Sequence, residues 1–167
     1  FAQGRNLLQQ GHCAHARPIV DQIVSLMTVP LVQGTLKYAY KVGATNANKG
    51  TEQIPKNAAE GATFAAAVLP LVHYCNSASA ATISDHMKFG LFPEGTAADQ
   101  SKAPDFAAVK VAFETVYPCL GITCAHVGAL SGAGAAAAAC SDPSAAYDRW
   151  TLPPPPPSKV TVDDESS

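Results

Sequence analysis

Pro104-Asp-Phe-Ala-Ala-Val-Lys-Val-Ala-Phe-Glu-Thr-Val-Tyr117 sets Phe106, Val109, Phe113, Val116 and Tyr117 on a single face when wound at 3.6 residues per turn. Apolar residues three and four apart are the mark of a helix buried along one stripe. Pro104 reads as a helix start, where a missing N–H costs nothing, and Pro118 as its stop. The rest of the chain repeats this pattern. Alanine is abundant, and before residue 159 no run of Val, Ile and Thr alternates as a strand would. The expected class is all-α, with four to six helices.

Working toward the N-terminus, residues 77–89 predict a short helix and residues 57–75 a long Ala-rich one. In the latter Phe64, Val68, Leu71, Val72 and Cys75 share a stripe and Pro70 imposes a kink. Pro18 reads as another helix start. Ile19, Ile23, Leu26 and Met27, then Leu31, Leu36 and Tyr40 beyond a break or kink at Pro30, give two helices or one bent one ending at Gly43. Residues 44–54 and 90–101 read as loops. Toward the C-terminus, Thr123 caps a short helix running to Leu130, and residues 132–139 are too small-sided to pack as more than filler. Residues 1–152 therefore form one disulfide-stapled helical domain. Residues 153–167 are a tail: Pro153, Pro154, Pro155, Pro156 and Pro157 make a stiff polyproline II spacer of roughly 15 Å, followed by strand-like Val160 and Val162 and an acidic end.

The chain has 167 residues and a formal net charge of −2, with only 14% charged residues. Residues 1–152 hold ten charges of each sign, and the tail holds Lys159 against Asp163, Asp164 and Glu165. A neutral body offers no basic face to nucleic acid or anionic lipid. No uninterrupted apolar run approaches the roughly 20 residues of a membrane span.

Cys13, Cys75, Cys119, Cys124 and Cys140 are the disulfide candidates. The spacing lacks the paired C-x2-C elements of zinc sites, so bridges are the first reading and an oxidising compartment follows. Cys124 to Cys140, or Cys119 to Cys124, are the pairings expected, and the odd count leaves one thiol free or shared with another chain. The chain opens on Phe1 without a charged and apolar leader. The expectation is a mature secreted protein, with a fragment as the alternative. There is no N-x-Ser/Thr sequon, so any sugar must be O-linked, with hydroxylated Pro153 to Pro157 and Ser158 as the candidate positions.

Three stretches carry a family resemblance: Gly34-Thr-Leu-Lys-Tyr-Ala-Tyr-Lys41, Glu60-Gly-Ala-Thr-Phe-Ala-Ala-Ala-Val-Leu-Pro70 with His73 and Cys75 following, and Cys119-Leu-Gly-Ile-Thr-Cys-Ala-His-Val-Gly128. They resemble the secreted iron-assimilating proteins of green algae, periplasmic and non-enzymatic relatives of the phytotransferrins. The resemblance covers residues 34–128 and implies secretion, an algal source, a helical body and, more distantly, ferric iron as cofactor. The polyproline run resembles instead the hydroxyproline-rich glycoproteins of algal walls.

Candidate chemistry is thin. Ferric iron favours phenolate, carboxylate and imidazole, but Tyr38 and Tyr40 diverge on a helix, as do His73 and Tyr74, and the metal ligands stay unknown. His12 and His15 lie three apart and share a helix face, close enough for one borderline metal, while the plainer reading is a bridged Cys13 between two solvated imidazoles. Ser84, Asp85 and His86 spell a triad without its geometry. His126 beside Cys124 reads as a local accident. No enzyme is expected. The function expected is an extracellular structural subunit of a cell-surface or matrix filament, its partners other copies of itself bound through the tail residues Pro153 to Pro157, Val160 and Val162. The alternative is a secreted ferric-iron-binding protein.

Overall fold

The computed structural model describes residues 1–43, 54–91 and 103–130. Expectations placed on Cys140, residues 132–139, most of the loops 44–54 and 90–101, and the whole tail lie outside them. Among the described residues there are six helices and no strand: α1 (Ala2–Gln9), α2 (Cys13–Val42), α3 (Ile54–Cys75), α4 (Ser77–Met87), α5 (Phe106–Leu120) and α6 (Cys124–Val127). The all-α class holds.

Pro18 and Pro118, read as a helix start and a helix stop, both lie inside helices, while Pro30 and Pro70 each sit in one continuous helix, as the bent-helix reading of α2 and the single-helix reading of α3 allow. α2 starts at Cys13, after a turn through Gly11 at φ 76°, and runs through both Pro18 and Pro30. α3 contains Pro70, and α5 continues past Pro118 to Leu120. A helical proline leaves the carbonyl four residues earlier without its partner. Pro18, Pro30 and Pro70 are all exposed, as are Ala14, Leu26 and Ala66. Water can satisfy the freed carbonyls there, so the helices survive. Pro104 is not a helix residue at all: Asp105 is the cap, its carboxylate accepting from Ala107 N–H at 2.9 Å and Ala108 N–H at 3.2 Å. The start of α5 thus falls one residue beyond the cap, at Phe106. α4 stops at Met87, short of the expected Phe89, whose side chain is exposed.

The helix ends are closed by local chemistry. Asn76 ends α3 and caps α4 in one residue, donating its N–H to Val72 O at 2.7 Å and accepting from Ser79 N–H at 3.0 Å. Gly121, at φ 68°, closes α5 in a Schellman pattern: its N–H reaches Pro118 O and Ile122 N–H reaches Tyr117 O.

The core lies between α2, α3, α4 and α5. Val32, Leu36, Val68, Val72, Ile83, Val109, Phe113, Val116 and Tyr117 are buried together, and α6 adds Cys124 and Val127. The buried hydroxyls of Thr28 and Thr35 are satisfied inside α2, donating to Ser25 O and Leu31 O. α1 packs along the start of α2, where Gly4 meets Ile19, and buries no residue of its own.

One bridge joins Cys75, at the end of α3, to Cys119, near the end of α5, with Cα atoms 5.8 Å apart. The expected closure of Cys119 onto Cys124 is therefore wrong: Cys119 faces the end of α3. Cys124 is also disulfide-bonded, to a partner outside the described residues. Cys13 is a free, exposed thiol.

By length and composition α2 is apolar enough to cross a membrane, although polar residues such as Asp21 and Gln22 interrupt its apolar run. Its C-terminal half is a core helix of the body, with Val32, Leu36, Ala39 and Val42 buried.

Candidate functional site

α2 and α3 meet through two glycines. A Cβ on Gly34 would lie 2.6 Å from the Phe64 ring, and one on Gly61 would lie 2.7 Å from both Tyr38 Cβ and Met87 Cε. Position 34 faces 64 and position 38 faces 61, so the two helices run antiparallel. The Tyr38 and Phe64 rings stack at 5.9 Å with planes 19° apart. Tyr38 donates its hydroxyl to the Glu60 carboxylate. That hydrogen bond, then burial, then the Glu60 charge raise the phenol's pKa. The arrangement keeps the phenol protonated.

The same two stripes continue past this contact. Val20, Val24, Met27, Leu31, Gly34 and Tyr38 repeat at spacings of four and three along α2. Glu60, Phe64, Ala67, Leu71 and Tyr74 do so along α3. Where the glycines let the helices close, the stripe is half-buried. Beyond it the stripe is bare: Val20 and Val24 are each 48% exposed, Met27 65%, Leu71 38% and Tyr74 68%. The antiparallel register brings Leu71 and Tyr74 level with Met27 and Val24. Leu26, Met27 and Leu71, members of the apolar spacing expected along α2 and α3, are thus at the surface. The neighbouring Ile19 and Ile23 are half-buried. This segment of α2 is apolar on more than one side, which is the mark of a helix with more than one face to cover.

The expected site residues fall as follows. His12 and His15 approach edge-on, ring centroids 5.7 Å apart, beside the free Cys13, which corrects the reading of Cys13 as bridged. Among the described residues no three of His, Cys, Asp and Glu converge as a metal set. Tyr38 and Tyr40 diverge, the latter meeting Phe106 edge-on at 5.6 Å. His73 is exposed beside Tyr74. Asp85 pairs with Lys88 at 3.2 Å, while His86 Nδ1 accepts from Asp105 N–H at 3.3 Å, so the imidazole supports the start of α5 and Ser84 has no base. His126 is no accident: its Nδ1 accepts from Thr123 N–H at 3.0 Å while the Thr123 hydroxyl accepts from His126 N–H, a capping box with histidine in the acidic residue's place.

Sequence reasoning missed the Gly34 and Gly61 approaches and helix α1. The signal for the first was small residues at helical positions opposite large ones. For the bare face it was the second apolar stripe through Val20 and Val24.

No known family model matches the chain, and no curated protein or solved structure is significantly similar to it. Fold and surface alone define it, as a disulfide-stapled all-α body with one long apolar face.

Proposed function

We propose that the protein is a secreted, non-enzymatic structural subunit that assembles with copies of itself into a cell-surface or matrix filament, its C-terminal tail making the contact. The observation that carries this reading is the bare apolar face of α2 and α3. Soluble monomers seldom leave a long contiguous apolar surface uncovered, and one of this kind marks an interaction site. The extracellular part rests on the disulfides at Cys75, Cys119 and Cys124, because such bonds persist in oxidising compartments. The tail part rests on composition, five consecutive prolines between the body and Val160 and Val162, a run that favours a stiff polyproline II spacer. A contact from tail to neighbour is heterologous and repeats into an open filament unless its rotation closes a ring.

The test is sedimentation of the full chain beside Val160→Asp/Val162→Asp. Large assemblies that collapse to monomer in the double variant support the reading; equal assembly in both sinks it. O-linked sugar on Pro153 to Pro157 or Ser158 belongs to the same proposal, and an intact mass equal to the bare chain removes that element. The alternative implied by the family resemblance, ferric-iron binding, is separated by adding ferric iron to the purified protein. A visible tyrosinate band would favour it over the structural reading.

A further inference from the structure

We propose that the bare face formed by Val20, Val24, Met27, Leu71 and Tyr74 is the receptor for residues 150–165 of a neighbouring copy. The choice of a neighbour's tail over the chain's own rests on the assembly reading above. The face itself is argued independently.

Charge singles out the occupant. Residues 1–43 carry Arg5, Arg17, Lys37 and Lys41 against Asp21 alone, four minus one, a net +3. Residues 131–167 carry Arg149 and Lys159 against Asp142, Asp148, Asp163, Asp164 and Glu165, two minus five, a net −3. The small net charge of the whole, −2, thus hides a basic α1–α2 unit and an acidic C-terminal segment. Opposite fields of this kind steer encounter and fix orientation. A second copy of α2 would instead bring two like-charged segments together.

Shape agrees with charge. Proline-rich segments dock on grooves lined by aromatic rings. Here the Tyr38–Phe64 stack and the exposed Tyr74 lie on one stripe, ten residues apart on α3. At 1.5 Å per residue that is about 15 Å, and five prolines in polyproline II rise about the same length. Trp150, Leu152, Val160 and Val162 flank the prolines and supply apolar matter for Val20, Val24 and Met27.

The experiment replaces Val24 with the photo-crosslinker p-benzoylphenylalanine in the full chain, mixes it with an equal amount of unmodified chain labelled with nitrogen-15, irradiates, and maps the adduct. The expected product joins Val24 to a heavy peptide from residues 150–165. An adduct to the light tail of the same chain only, to a heavy α2 peptide, or to no peptide overturns the proposal. A parallel measurement compares Val24→Asp/Met27→Asp with Val111→Asp, which charges an equally exposed apolar residue of α5. The first should raise the concentration needed for assembly at least tenfold and the second should leave it unchanged; equal effects also overturn the proposal. If Val160→Asp/Val162→Asp blocks assembly while Val24 shows no tail adduct, the tail reading stands and this receptor face fails. If that tail variant assembles normally, the assembly reading itself fails.

Discussion

Tyr38 occupies the space that a side chain on Gly61 would need: its Cβ lies 2.7 Å from the position of a Cβ there. The Tyr38 backbone is held by α2, so the neighbour cannot yield without moving the helix. At Gly34 the obstacle is different, the Cγ and Cδ atoms of the Phe64 ring, which a rotation about χ1 of that half-buried side chain can carry away.

Gly61→Ala should therefore destabilise the fold more than Gly34→Ala. Overpacking a helix contact costs about 1–3 kcal/mol, partly offset by roughly 1 kcal/mol of helix propensity gained on leaving glycine. Gly61→Ala should lower the urea midpoint clearly, with Gly34→Ala closer to neutral. The reverse order would mean that α2 and α3 do not meet as described.

The Tyr38 phenol titrates above its ordinary value because it donates a hydrogen bond to Glu60, is partly buried, and would bear its anion beside the Glu60 charge. A group with a raised folded pKa contributes stability that is complete below the unfolded pKa, near 10, and is lost as pH rises through the folded one. Ultraviolet titration of the native protein should show one late-ionising tyrosine that Glu60→Gln brings earlier. A titration identical in the two proteins would remove the hydrogen bond from the account.

Cys75 and Cys119 close a loop with a sequence separation of 44. In the chain-entropy model such a loop is worth about 4 kcal/mol. Cys75→Ala/Cys119→Ala should lose stability of that order, measured by denaturant unfolding. Alkylation of the native chain followed by peptide mapping should label Cys13 alone and recover Cys75 with Cys119. Since Cys13 is free, Cys124 should be found with Cys140, the one cysteine left for it. Five alkylated cysteines in native protein would overturn the extracellular argument.

Thr123→Ala removes one side of the capping box and should cost about 1 kcal/mol. His126→Ala, which removes the acceptor for Thr123 N–H, should cost less than the sum when combined with it, since the two bonds form one unit. Full additivity in thermal unfolding would show that the two bonds are independent.

The class and most of the helices were legible because periodicity at Phe106, Val109, Phe113 and Val116 is a local property of the chain. The helix start expected at Pro18 is misread because water can take the carbonyl that an exposed proline frees, and exposure is set by tertiary packing; the start expected at Pro104 is misread because Asp105 supplies the cap. The Cys75–Cys119 pairing depends on where α3 and α5 end in space, which spacing along the chain does not contain. The apolar spacing of Leu26, Met27 and Leu71 does not say whether that stripe is covered. Their exposure became visible only when α3 covered one part of the α2 stripe and left the other bare. The histidine of the capping box was hidden because sequence patterns for that position look for Glu or Gln.

The central claim, assembly by a tail of one copy on a receptor face of the next, is tested most directly by complementation. Val160→Asp/Val162→Asp has an intact face and a defective tail; Val24→Asp/Met27→Asp has the converse. Each alone should sediment as a monomer. Mixed in equal amounts they can make a single productive contact, so the mixture should sediment as a dimer and grow no further. A mixture that stays monomeric, or a double variant that polymerises by itself, would contradict the account.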